Sequence, residues 1–344
     1  MSDQTPSRKA EHLRINVAHD VSAKGITTGL ETYAFEHQAL PEIDLADVDV
    51  STELLGKRLS APLVVSCMTG GTPEAQRINA ALAQVAQEFG IAMGLGSGRA
   101  LLERPETLPT FDVRSHAPDV LLLANVGAVQ LNKGYGVAEC RRLVELLQAD
   151  ALVLHLNALQ EALQPEGDTN FRGLLAKIAK LCKELETPVV VKEVGWGIGP
   201  AAVRALFDAG AKAIDLAGAG GTSWSEVERY RIVQPWRARV AGRFASWGIP
   251  TARCIREARS VAPKQTIIAS GGIRDGLDAA KAIARGADAA GIAGPFLRAA
   301  DVSLDAARDY AREVVETLRI AMFCTATRTI SELKGTPRLI VERT

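Results

Sequence analysis

Apolar residues along this chain gather into short runs instead of spreading evenly. Eight such runs cover 62–66, 91–95, 120–124, 151–155, 188–192, 213–217, 266–270 and 289–293. Their near-continuous apolarity predicts strands covered on both faces, as in a parallel sheet, at the usual strand length. Between them the pattern turns helical. Ile78, Leu82, Val85 and Phe89 recur at helical spacing, as do Leu174, Ile178, Leu181 and Leu185,. Most gaps leave room for one helix and two loops. Eight strand–helix units in alternation predict an α/β fold, the closed (β/α)8 or TIM barrel.

Two stretches depart from this rhythm. The gap between Ala213 and Thr266 is the longest, and it holds Trp224, Trp236 and Trp247, three of the four tryptophans. An insertion between strands 6 and 7 is expected there, over the barrel mouth or at an oligomer contact, against the blander reading of a long surface loop with a helix over about 251–261. At the other end, residues 1–60 read as a polar N-terminal arm and leading segment. They precede a barrel core at 61–323 and a C-terminal tail at 324–344. No linker divides the 344 residues, so one domain is expected,. No internal repeat beyond the strand–helix period stands out.

Charge narrows the partners. Lys+Arg and Asp+Glu number 40 each, for a net charge of zero. No overall field favours nucleic acid or an anionic membrane, so an anionic ligand needs a local cluster. The five cysteines are scattered, without CxxC or Cys/His metal spacing, and read as reduced core residues of a cytoplasmic protein. The polar start has no signal-peptide core, and no run approaches the ~18 apolar residues of a membrane span. A soluble protein with neither membrane nor nucleic-acid partner is expected.

In such a barrel, chemistry sits at the C-terminal ends of the strands. Strand 7 runs into Ser270-Gly271-Gly272-Ile273-Arg274, and strand 8 into Gly291-Ile292-Ala293-Gly294. Glycine turns let backbone N–H groups approach an anion, and a following helix adds its positive dipole end. Two in succession predict a phosphate site, against the blander reading of two steric turns. Strand 1 ends in Met68-Thr69-Gly70-Gly71, strand 2 in Gly96-Ser97-Gly98-Arg99, strand 3 in Asn125-Val126-Gly127 and strand 6 in a small-residue loop reaching Thr222. Strand 4 carries His155 and Asn157, alternating with leucines and so sharing the inner face. Gln160 and Glu161 follow at once, which favours a binding role over a satisfied core histidine. Lys192, at the end of strand 5, has three readings. It could pair with Glu193 or Asp215, form a Schiff base with a carbonyl, or place a positive charge beside a reduced flavin. Only the third uses the two phosphate turns and the Met68 loop together.

Taken in order, these residues resemble the type 2, FMN-dependent isopentenyl-diphosphate delta-isomerases. The likeness extends from Arg8-Lys9-Ala10-Glu11-His12 to about Leu297, and includes Val191-Lys192-Glu193. It implies interconversion of isopentenyl and dimethylallyl diphosphate with reduced FMN and Mg2+, NADPH as reductant, and a homo-oligomer. It assigns FMN to Met68, Thr69, Gly70, Ser97, Asn125, Lys192, Thr222, Gly272, Ile273, Arg274, Ala293 and Gly294. Substrate falls to Arg8, Lys9, Ser97, Gly98, Arg99, His155, Asn157 and Gln160, and Mg2+ to Glu161. Gln160 is the catalytic candidate, as proton relay or positioning group. The family usually has Gln where Gly98 stands, so a side-chain contact from that position is put in question.

Three rivals remain at this point. An FMN-dependent 2-hydroxy acid oxidoreductase needs a histidine near the end of a late strand, and none of the five histidines lies beyond His155. A Schiff-base aldolase would use Lys192. A non-catalytic flavin-binding barrel leaves Arg8-Lys9 and Gln160-Glu161 without a purpose.

Overall fold

Each of the eight apolar runs folds as a strand. The computed structural model describes residues 5–341, with side chains from Lys9 onward. Strand 1 (Leu63–Val65), strand 2 (Ala92–Gly94), strand 3 (Leu122–Gly127), strand 4 (Ala151–Leu156), strand 5 (Val189–Glu193), strand 6 (Ala213–Asp215), strand 7 (Thr266–Ala269) and strand 8 (Ala289–Ile292) pair in parallel in chain order. Strand 8 closes on strand 1, so the barrel has no free edge.

Side-chain alternation divides the apolar residues into two sets. Val64, Ala92, Leu123, Val153, Val190, Ala213, Ile268 and Ala289 form the cluster inside the barrel. Leu63, Val65, Leu152, Leu154, Val191 and Ile214 belong to the larger cluster beneath the helices. The hairpin of Thr52–Leu54 and Lys57–Leu59 adds Leu54 and Leu59 to the inner cluster. Two residues further along each strand, the next inward positions are Ser66, Gly94, Asn125, His155, Lys192, Asp215, Ser270 and Gly291. The interior therefore changes at one level from packed hydrocarbon to polar groups and glycine.

The helices follow the predicted spacing. Pro73–Phe89 buries Ile78, Leu82 and Val85, starts behind a Thr72 cap whose hydroxyl accepts from the Ala75 N–H, and stops at Gly90 with φ 59°. Leu174–Glu184 buries Leu174, Ile178 and Leu181. In the long gap, Trp224–Arg231 and Pro235–Gly242 precede the expected helix Thr251–Val261. None of the described helices is long and apolar enough to cross a membrane.

The N-terminal arm is more ordered than its composition suggests. Thr5–Ala18 is an α-helix packed against Trp224–Arg231. Ile15 and Val21 bury beside Val227 and Trp224. Next in the chain, residues 21–23 pair with the loop after strand 6: the Ser223 N–H donates to the Val21 carbonyl and the Ala23 N–H to the Gly221 carbonyl, both at 2.8 Å. Arm and insertion together roof the barrel. Near the chain's far end, Leu339–Val341 pairs antiparallel with Tyr33–Phe35.

A repeat also emerges that the bare sequence hides. Arg114 donates to the carbonyls of Ala117, Pro118, Val120 and Gln148, and pairs with Asp150 at 2.9 Å, just before strands 3 and 4. Arg259 does the same with the carbonyls of Ala262, Pro263, Gln265 and Gly286 and with Asp288 at 2.8 Å, just before strands 7 and 8. Asp150 accepts from the Leu122 N–H and Asp288 from the Ile267 N–H, each at 2.8 Å. Lys57 completes one cluster and Lys334 the other. The shared sequence is only Arg-Ser-x-Ala-Pro with a distant Asp, too little to register as a repeat.

Candidate active site

The polar level and the roof enclose a cavity of about 700 Å3 at the C-terminal ends of the strands. A site of this size suits a bound small molecule. Its lining takes in Lys9, Met68, Thr69, Gly70, Ser97, Arg99, Asn125, His155, Asn157, Gln160, Glu161, Lys192, Thr222, Gly272, Ile273, Arg274, Ala293 and Gly294. Gly98 stands apart. Its N–H donates to the Asn125 carbonyl at 2.7 Å, and a Cβ there would lie 2.4 Å from Leu143 Cδ1, in the core. The Arg8 side chain lies outside the described residues.

Strand register decides what Lys192 meets. Lys192 and Asp215 are partners across strands 5 and 6 and face the axis together. Lys192 Nζ sits 3.1 Å from Asp215 Oδ2 and 3.0 Å from the Glu193 carbonyl. The Ser270 hydroxyl donates to Asp215. Glu193 faces the opposite way and accepts backbone N–H groups from Gly195, Trp196 and Gly197 at 2.7, 2.5 and 3.1 Å. Burial pushes its carboxyl up to about 7, against the pull of those N–H donors. Of the two acids open as partners, Asp215 is the one used. Beside this pair, the buried Ser66 hydroxyl has no hydrogen-bond partner.

After strand 7, backbone conformation and packing against the protein itself demand the two glycines, as the steric reading expects. Gly271 and Gly272 adopt φ of 94° and 76°. A Cβ at Gly271 would lie 2.0 Å from the Gly218 carbonyl oxygen, and one at Gly272 2.4 Å from Thr28 Cγ2. No other residue fits either position. After strand 8, Ala293 caps the helix Gly294–Val302 at the mouth. Arg274, at the cavity edge, pairs with Asp278 at 3.0 Å.

On strand 4 the alternation holds. His155 Nδ1 lies 2.8 Å from Asn125 Oδ1. Asn157 donates to Gln160 Oε1 at 3.2 Å and to Glu161 Oε1 at 2.7 Å, while its own Oδ1 is buried without a partner. Gln160 Nε2 donates to Glu228 Oε1 at 3.3 Å, and Gln164 to the same oxygen at 2.7 Å. Glu228 is fully buried, yet His12 at 3.0 Å and Arg231 at 2.8 Å flank it. Burial pushes its carboxyl up, but the hydrogen bond and charge of His12 and the charge of Arg231 outweigh that and hold it at about 2.

Sequence reasoning missed Glu228 and Gln164, saw His12 only as part of a motif, and saw Trp224 only as one of three tryptophans in the insertion. Glu228 lies in Trp224–Arg231, within the insertion, where nothing in the sequence marks one acid as buried. The arm brings Lys9 Nζ to the Ser97 carbonyl at 2.8 Å and to 5.0 Å from the Phe111 ring centroid. Arg99 pairs with Glu103 at 2.7 Å and approaches Asp168 at 3.6 Å. Burial opposes ionisation of Asp168, but Lys133, Gln130 and Arg99 hold its carboxyl below the usual range.

Residues 1–103 and 144–340 match the FMN-dependent dehydrogenase family. An isopentenyl-diphosphate delta-isomerase of a Nostoc species is 53% identical over 97% of this chain and 95% of its own. Its namesake from a Synechococcus species is 55% identical over 93% and 92%, and that of Rickettsia bellii 50% identical over 95% of each. Among solved structures, a lactate oxidase of Pediococcus acidilactici superposes with TM-score 0.70 at 15% identity, covering 99% of this chain and 93% of its own. A mandelate oxidase bound to (S)-2-phenylpropionate gives 0.68 at 19% identity, covering 98% and 96%. At such identity the oxidases share the barrel and nothing finer is carried over. Half the positions in common over almost the whole length is a different order of likeness, and by it this chain belongs to the type 2, FMN-dependent isopentenyl-diphosphate delta-isomerase family.

Proposed function

We propose that this protein interconverts isopentenyl and dimethylallyl diphosphate by an allylic proton shift, with reduced FMN, Mg2+, and NADPH as the reductant. The cavity fits FMN on three counts: the Lys192–Asp215 pair, the partnerless Ser66 hydroxyl, and the N-terminus of the helix Gly294–Val302 at its edge. Gly272, Ile273, Arg274, Ala293 and Gly294 would hold its phosphate, and Met68, Thr69, Gly70, Ser97, Asn125, Lys192 and Thr222 the remainder. Bound in reduced form, FMN would supply an electron-rich surface beside the alkene.

The diphosphate carries about three negative charges, which a neutral chain must meet locally. Lys9, Arg99 and His155 border the cavity for that purpose, with Arg8 assigned to the same task by the family likeness. Among the described residues no group of three or more His, Cys, Asp or Glu could hold a metal alone. A hard cation sharing the Glu161 carboxylate with phosphate oxygens and water suits such a site. Gln160 is held at both ends of its amide, by Asn157 and by Glu228. It keeps one orientation at the mouth and can present a fixed dipole to the carbon that gains or loses a proton. The roof of arm and insertion excludes water, which would trap positive charge building on the substrate.

Self-association and a cytoplasmic setting belong to the same reading. Val233, Trp236 and Trp247 expose 89%, 60% and 60% of their surface on the insertion and fit contact with a second copy. All five cysteines are free thiols.

The observation that carries the isomerase reading is buried Gln160, fixed beside a cavity to which strands 6 to 8 bring no imidazole. Incubating the purified protein with isopentenyl diphosphate, Mg2+ and reduced FMN in D2O should give dimethylallyl diphosphate carrying deuterium, without stoichiometric NADPH use. Flavin reduction by a 2-hydroxy acid, with no isomerised product, would replace this reading with the oxidoreductase one.

A further inference from the structure

The loops after strands 2, 3 and 4 meet at one side chain that neither the sequence nor the proposed reaction singled out. Asp168 Oδ1 lies 2.6 Å from Lys133 Nζ, and its Oδ2 lies 3.6 Å from Arg99 Nη1 and 3.4 Å from Gln130 Nε2. Its backbone N–H donates to Glu161 Oε2 at 2.6 Å. The turn that delivers it is pressed against strand 4's loop: a Cβ on Gly167 would lie 1.8 Å from the Glu161 carbonyl oxygen. Asp168 thus ties the carboxylate assigned to Mg2+ to the guanidinium assigned to diphosphate.

The charges of this linked group do not balance. Arg99 and Lys133 contribute two positive charges; Glu103, Asp168 and Glu161 contribute three negative ones. This linked group sums to one negative charge, so Lys9, which stands outside it on the Ser97 carbonyl, meets an entrance that is not positive overall until a cation arrives. Both acids on Arg99 also compete with phosphate oxygens for its N–H groups. A divalent cation reverses the sign.

We propose that Asp168 is a positioning residue that makes diphosphate binding conditional on Mg2+, by engaging Arg99 and Lys133 and orienting Glu161 until the cation arrives. The proposal rests on the reading of this mouth as a diphosphate site. Its consequence is a coupling free energy between two ligands: each raises the affinity for the other by the same factor. Removing the Asp168 charge should shrink that factor by favouring the bare anion, while a merely structural side chain would weaken binding in every condition.

The test is calorimetric titration of inorganic pyrophosphate into the FMN-loaded protein, in EDTA and in Mg2+. In wild type, Mg2+ should tighten binding strongly. Asp168→Asn keeps the shape and drops one negative charge. It should bind pyrophosphate about tenfold more tightly in EDTA, the scale expected for one charge facing a trivalent anion at short range in a partly hydrated site. The Mg2+ enhancement should fall by a like factor, with FMN affinity unchanged. Lys133→Gln, on an exposed side chain, should move both quantities the opposite way, and Asp168→Glu should restore the Mg2+ dependence. Equal or weaker pyrophosphate binding by Asp168→Asn in EDTA overturns the proposal. Absence of pyrophosphate binding by wild type, with and without Mg2+, overturns the diphosphate reading beneath it as well.

Discussion

Lys192 and Glu193 are neighbours in sequence, yet face opposite sides of strand 5, and each side gives its residue a separate consequence. Lys192→Ala leaves Asp215 buried without its cation and takes the positive charge from the cavity. FMN affinity should drop at least about tenfold, and bound flavin should become harder to reduce, since a cation beside it favours the reduced anion. Fluorescence titration and potentiometry check both; unchanged potential and affinity would mean that Lys192 does not serve the flavin. Glu193 matters through its proton. Its carboxyl is raised from 4.5 to about 7 on folding. Folded protein therefore holds a proton that unfolded chain has lost, and stability falls as pH rises from about 4.5 to about 7. Glu193→Gln should flatten that part of the stability–pH curve, measured by denaturant midpoints at several pH values. At Glu161, substitution by Gln should raise the Mg2+ needed for half-maximal rate, because a neutral amide is a poorer ligand for a hard cation. An unchanged Mg2+ requirement would move the metal elsewhere.

At the level of elements, the helix Thr5–Ala18 shows where sequence reading reaches its limit. Only Leu13 and Ile15 of its described side chains are buried, Leu13 in the main core and Ile15 against Val227 and Trp224 of the helix Trp224–Arg231. An amphipathic stripe that narrow gives no periodic signal. The eight strands were legible because each is buried on both sides, and so apolar at nearly every position. Glu228 was not, since a charged helix that turns one acid inward has the composition of one that turns none. The choice between Glu193 and Asp215 was also closed to sequence, because it depends on the register of strands 5 and 6. If the arm completes the site, removing residues 1–12 should preserve FMN binding and abolish or greatly weaken substrate binding. Ile15→Ala should do the same more mildly, by removing one of the helix's two buried apolar side chains, worth about 2 kcal/mol. Substrate KM and protease sensitivity of the arm report both; a truncated protein with unchanged KM and kcat would show that the arm takes no part.

Across the whole molecule, the two Arg–Asp clusters fasten the N-terminal face at opposite sides of the barrel, one per half. Arg114→Ala and Arg259→Ala should each cost roughly 1–3 kcal/mol, because each leaves several carbonyls without their donor and takes one of two cations from an aspartate. Their effects should be similar and should add, the clusters being far apart, and kcat should hold because both lie away from the mouth. Thermal unfolding with parallel assays tests this; a loss of kcat at constant stability would count against it. The roof has a different history during synthesis. His12 and Glu228 are 216 residues apart in sequence. At roughly 5–20 residues per second, the arm leaves the ribosome on the order of ten to forty seconds before its partner helix exists. A strongly apolar arm would spend that interval seeking other surfaces. Its few buried residues and many charges let it wait in water, so the same sparse pattern that hides the helix from a reader protects the nascent chain.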